Sequence, residues 1–121
     1  MSVYEITQEL CTLNEYTDAE RKNRYAAAKI KKDNTKICTV AAMAVKPFTY
    51  SEKLYDVEIE WYVTNNRKDP DNIYFGVKFI LDGLVKAGVL KNDGRQNIRH
   101  ISHKIFTADK YCVLVELKEV K

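Results

Sequence analysis

The side chains most informative for chemistry lie between Asp69 and Asp82. At 100° per residue, Asp71, Phe75, Lys78 and Asp82 fall within about 60° of one another on a helix, nearly opposite the apolar stripe Ile73, Val77, Ile80 and Leu84. Two carboxylates and an amine therefore share an outward face that begins just after the Asp69-Pro70-Asp71 entry. An ordinary structural account covers the same positions. Asp69 serves as an N-cap, Pro70 as the first helical residue, and Asp71 as a first-turn acid favoured by the helix dipole at about 0.3–1 kcal/mol. Lys78 and Asp82 make a weak surface pair, and Asp93, between Asn92 and Gly94, is a turn residue. Types and spacing alone favour that account and leave a chemical one open.

The stretch KDPDNIYFGVKFILDGLVKAGVLKNDG, Lys68 to Gly94, resembles the signature region of the RusA family of Holliday-junction resolvases, especially its phage-encoded members. The family pattern is D-x-D-N, a helix with a lysine, then a short loop ending in an acid. The run LNEYTDAERKNRYAAAKIKK, Leu13 to Lys32, resembles the first helix of the same relatives, and the two stretches cover nearly 40% of the chain. The resemblance implies that Asp69 and Asp71 are the paired aspartates and Asp93 the third, together a metal-binding acidic cluster. The family's helix lysine sits four residues after the second aspartate. Phe75 holds that place here, so the role passes to Lys78, and Asn92-Asp93 replaces two adjacent acids. The implied chemistry is phosphodiester hydrolysis. Magnesium, with manganese as a substitute, takes hard oxygen ligands and keeps places for water and substrate, so Asp69, Asp71 and Asp93 suffice to hold it. Lys78 then neutralises developing charge, and no separate general base is required.

Other conspicuous residues invite plainer accounts. Cys11, Cys38 and Cys112 are odd in number and never paired as C-x-x-C, so they read as reduced thiols. His100 and His103 differ by three, which on a strand puts them on opposite faces and prevents shared chelation. Trp61 belongs to a core, and Glu58 with Glu60 to a solvent-facing strand side.

These groups need elements to hold them. Val3 to Leu10 alternates as a short strand. From Thr17 or Asp18 a long helix runs without Gly or Pro until Pro47, with Ala26, Ile30, Ile37, Ala41 and Ala44 inward and Arg21, Arg24, Lys31 and Lys32 together on another side. Leu54 to Val63 is a half-buried strand, followed by a polar loop holding Arg67 and Lys68. A second helix runs from Asp69-Pro70 to about Ala87, stopped by Gly88. After the Asn92-Asp93-Gly94 turn, two strands follow, about Asn97 to Phe106 and Tyr111 to Leu117. The order β-α-β-α-β-β, with two right-handed crossovers and a closing hairpin, predicts an α+β domain over 1–121: a mixed four-stranded sheet with two helices packed on one face.

With 121 residues, 45% of them hydrophobic, the chain can bury a core without disulfides or metal staples. No apolar run approaches the ~20 residues of a membrane helix and the amino terminus lacks a signal-peptide build, so cytoplasm, bacterial or phage-infected, is expected. Net charge is +3 but segregated: −5 over residues 1–20, +7 over 21–47, −3 over 48–64 and +4 over 65–110. Basic patches of this kind suit a polyanion. The combined expectation is a magnesium-dependent endodeoxyribonuclease that resolves four-way junctions by paired nicks, working as a homodimer on branched DNA, without membrane or organic cofactor. Arg21, Arg24, Lys31, Lys32, Arg67 and Lys68 would contact phosphates. The alternatives are a non-catalytic DNA-binding protein on the same scaffold, or a nuclease for flaps or forks.

Overall fold

The computed structural model describes residues 2–45 and 52–121. Four strands and four helical segments follow in order: β1 (Ser2–Ile6), α1 (Leu13–Lys22), α2 (Arg24–Ala42), β2 (Tyr55–Val63), α3 (Pro70–Tyr74), α4 (Val77–Lys86), β3 (Ile98–Thr107) and β4 (Cys112–Glu119). This is the expected α+β class, with a mixed sheet and its helices on one face. No helix among the described residues is long and apolar enough to cross a membrane.

The expected single first helix is two. It begins at Thr12 rather than Thr17, because Thr12 and Glu15 form a reciprocal capping box: the Glu15 N–H donates to Thr12 Oγ1 at 3.4 Å and the Thr12 N–H to Glu15 Oε1 at 2.9 Å. It breaks at Asn23, whose backbone is extended (φ −170°, ψ 157°). Asn23 ends α1 by donating its N–H to Ala19 O at 3.1 Å and starts α2 by accepting the Ala26 N–H at 2.8 Å. Asparagine's short amide competes with helical backbone in this way. The break re-registers α2, so its buried seam is Ala27, Asn34, Thr35, Cys38 and Ala42, and Ala44 is exposed. Pro47, expected to end the run, lies outside the described residues.

The second helix also divides, at Phe75 and Gly76, where hydrogen bonds tighten to i→i+3 (Gly76 N–H to Ile73 O, 3.2 Å; Lys78 N–H to Phe75 O, 3.2 Å). Phe75, expected to face solvent, packs on Tyr16 of α1 with ring centroids 5.3 Å apart and meets Phe79 edge-on at 5.6 Å. α4 buries more than one stripe because it lies against both the sheet and α2. Gly83 is the closest approach: a Cβ there would stand 2.7 Å from the Cys38 backbone carbon. The segment ends at Gly88, whose φ of +80° an L side chain adopts poorly.

Strand order is β1-β4-β2-β3, with β2 and β3 parallel and both other pairs antiparallel. The expected closing hairpin does not form. After β3 the chain crosses the end of β2, where the Ala108 N–H donates to Val63 O at 2.8 Å, and returns on the far side as β4. Composition explains the placement: Val113, Val115 and Leu117 suit a central strand, whereas β3, IRHISHKIFT, carries the charge an edge tolerates. Tyr4, Ile6, Val57, Ile59, Trp61, Val113, Val115 and Leu117 face the helices and form the core with Cys38, Phe79, Ile80 and Leu84. The opposite sheet face carries Glu58 and Glu60, the former paired with Lys118 at 2.8 Å.

Candidate active site

Asp69 and Asp71 lie where the chain leaves the C-terminal end of β2, turns through residues 64–69, and enters α3. Crevices beyond the carboxyl ends of parallel strands are where open sheets hold ligands. Asp69 occupies the N-cap position with φ −70° and ψ 152°, yet its side chain makes no capping hydrogen bond. Both carboxylates are exposed and neither takes a hydrogen bond or ion pair among the described residues. The bland N-cap account of Asp69 therefore fails in its central feature.

The neighbouring groups are already engaged. Lys68 Nζ lies 3.6 Å from Glu9 Oε2. Buried Asn72, the last residue of the D-x-D-N run, accepts the Asn14 N–H at 2.8 Å and so satisfies an amide in the first turn of α1. Glu15 sits nearby. Burial opposes its charge, but hydrogen bonds from Thr12 and the proximity of Lys68 hold its carboxyl below the usual range. A recess of about 40 Å³ among Glu9, Leu10, Thr64, Asn65, Lys68 and Tyr111 has room for a water and not a nucleotide.

Six other expected participants stand elsewhere. Asp93 is at the opposite end of the sheet: the Asn92 N–H bonds Asn97 Oδ1, Asn97 Nδ2 bonds Lys53 O, and Ile98 begins β3 beside Tyr55 at the start of β2. β2 spans about 26 Å at ~3.3 Å per residue, and α3–α4 runs back along that length. Accordingly, among the described residues no three His, Cys, Asp or Glu side chains are gathered to hold a metal ion. The Gly94 N–H donates to Asn92 Oδ1 at 2.9 Å, so the Asn92-Asp93-Gly94 turn forms as expected. Lys78 is exposed on α4, about 11 Å along the helix from Asp71. The basic row is also rearranged. Arg21 stands on α1, and on α2 Arg24 and Lys31 fall about 100° from Lys32. Arg67 and Lys68, by contrast, adjoin Asp69 directly.

The remaining candidates keep structural parts. Burial pushes the Cys38 thiol up to about 12 and the Cys11 thiol, further opposed by Glu15, up to about 11, so neither is a ready nucleophile. His100 and His103 do face opposite sides. His103 accepts the Trp61 indole N–H at Nδ1 (2.9 Å) and stacks on Tyr74 of α3 with centroids 4.2 Å apart. That contact ties the short aspartate-bearing helix to the edge strand. No family model matches this chain and no curated protein matches it, so the site is read from its own geometry together with the resemblance carried by Leu13–Lys32 and Lys68–Gly94.

Proposed function

We propose that the chain is a magnesium-dependent endonuclease of the RusA type, acting on branched DNA and above all on four-way junctions. The observation that carries this reading is the pair Asp69 and Asp71, without side-chain partners among the described residues, at the C-terminal edge of the parallel strands, inside a D-x-D-N run whose asparagine is committed to holding α1. Two hard oxygen ligands on one short element suit magnesium or manganese. Such an ion, when bound, supplies an activated water and neutralises phosphate charge. Asp69 and Asp71 would hold it. Lys68, released from Glu9, and Lys78 further along the helix would meet the negative charge of the scissile phosphate, and Arg67 would orient the strand.

Asp93 enters this scheme through a second copy. One chain holds its acids at opposite ends of the sheet, but β3 is an open edge. Pairing of two β3 edges about a two-fold axis is antiparallel, which sets the start of one β3 beside the end of the other. Asp93 of the partner subunit then approaches Asp69 and Asp71, and the dimer carries two such sites, as paired nicking requires. A strictly monomeric chain would favour the second reading, a DNA-binding protein without cleavage, because its third acid stays remote. The deciding experiment incubates the protein with a labelled synthetic four-way junction and matched linear duplex, with magnesium or with chelator. Metal-dependent paired nicks in the junction alone are expected; metal-independent binding without nicks rejects the nuclease.

A further inference from the structure

The break at Asn23 turns one side of α2 wholly outward. At 100° per residue, Tyr25, Lys29, Lys32 and Lys36 fall within about 60° of one another, opposite Ala27, Cys38 and Ala42, which face the core. Tyr25 is 73% exposed. The Arg24 guanidinium lies 5.4 Å from its ring centroid, within cation–π range. Lys32 and Lys36 have no ion pair among the described residues, and Lys29 has only exposed Asp33 at 3.5 Å, a contact of little strength. A tyrosine so exposed adds little to the fold, whereas an aromatic face beside a row of cations matches a polynucleotide strand.

We propose that this strip is a docking surface for a nucleic-acid strand with unpaired bases, on which Tyr25 stacks a base and Lys29, Lys32 and Lys36 follow the phosphates. Arg24 lies over the ring, and a residue 73% exposed leaves ring surface for a base. From Tyr25 to Lys36 the strip runs about 16 Å along the axis, enough for several nucleotides. An anionic membrane would also attract the lysines. An interfacial helix, however, sinks a broad apolar face into lipid, whereas Cys38 and Ala42 of α2 are buried in the core and the exposed apolar side chains Val40 and Met43 stand only at the end of the helix, beyond the lysines. The inference deepens the nuclease reading, since opening a branch point frees bases from pairing. It requires neither metal nor cleavage, so the two fail separately.

The test is anisotropy with fluorescein-labelled oligothymidylate and a matched linear duplex, in chelator, on the full chain. Tyr25→Leu should bind oligothymidylate about tenfold more weakly and duplex unchanged, as loss of one stacked base predicts. Tyr25→Trp should retain affinity and show indole emission quenched on binding, against the constant background of buried Trp61. Replacing Lys29, Lys32 and Lys36 by Gln should weaken both probes and make the log–log salt slope on oligothymidylate shallower by about 2. Circular dichroism confirms that the variants fold. Equal binding by Tyr25→Leu, unquenched indole emission from Tyr25→Trp, an unchanged salt slope, or binding to phosphatidylserine vesicles in place of DNA would each overturn the proposal. Tyr25-dependent binding by a chain that never nicks a junction would leave it standing and remove the nuclease.

Discussion

A carboxylate at a helix N-cap ordinarily accepts a backbone N–H from the first turn, and Asp69 does not. Its charge is left facing solvent beside that of Asp71, and under the proposed function the pair holds a cation. Asp69→Asn and Asp71→Asn should therefore each abolish magnesium-dependent nicking while junction binding in chelator stays equal or tightens, because a charge repelling the polyanion is gone. Melting should shift by no more than about 1 kcal/mol. Full nicking by both variants would return the pair to a structural part. His103 supports a second prediction. Burial holds its imidazole below the usual 6.5, and Trp61 fixes Nδ1 as acceptor, so the folded state prefers it neutral. As pH falls below about 6.5 the unfolded chain takes up the proton first. The stabilisation, full above that value, is then lost on acidification through the lower folded value. The melting advantage of wild type over His103→Phe should shrink between about pH 7 and about pH 5; a constant difference rejects the assignment. The alternation of Ile101, His103 and Ile105 already puts this histidine on the apolar side of β3, so its face was legible, whereas its partners Trp61 and Tyr74 required the fold.

At the scale of elements, the strands were legible because period-two alternation survives any tertiary context, and the helices less so because two short polar signals outweigh their periodicity. Asn23 interrupts a run of good helix formers, and Thr12 with Glu15 moves the start forward. The hairpin expectation failed for another reason. Proximity in sequence favours β3 beside β4, but Val113, Val115 and Leu117 gain more between β1 and β2 than at an edge. Asn72 shows what spacing could not: it spans 58 residues to cap α1. Asn72→Ala should cost about 1–2 kcal/mol in urea unfolding, and Asn72→Asp, which keeps the acceptor, much less. Equal losses would mean that the contact contributes nothing specific. Gly83→Ala carries the packing of α4 on α2. A methyl 2.7 Å from Cys38 backbone forces the helices apart, so a net loss of about 1–3 kcal/mol is expected despite alanine's better helix propensity. A stabilised variant would show that the two helices give way easily.

The whole molecule decides whether three acids make one site. Within a chain, Asp93 lies the length of β2 from Asp69 and Asp71, a separation that sequence spacing concealed because α3–α4 returns along the sheet. If the proposed dimer exists, light scattering gives about twice the 14.0 kDa chain mass. The sharper consequence follows from mixing. Asp71→Asn and Asp93→Asn should each be inactive as homodimers, since every site then lacks one ligand. Co-refolded at equal amounts, about half of the dimers combine the two chains. In such a dimer one site takes Asp69 and Asp71 from the second variant and Asp93 from the first, and is whole; the other lacks both. Nicking should return, confined to one strand of each junction, with paired nicks absent. Three results stand against this arrangement. Paired nicking by Asp93→Asn alone would leave Asp93 a turn residue. An active monomer would remove the need for a second chain. Silence in the mixture, once exchange is demonstrated by differently tagged chains, would mean that each chain completes its own site, and that the sheet must rearrange on DNA to bring its two ends together.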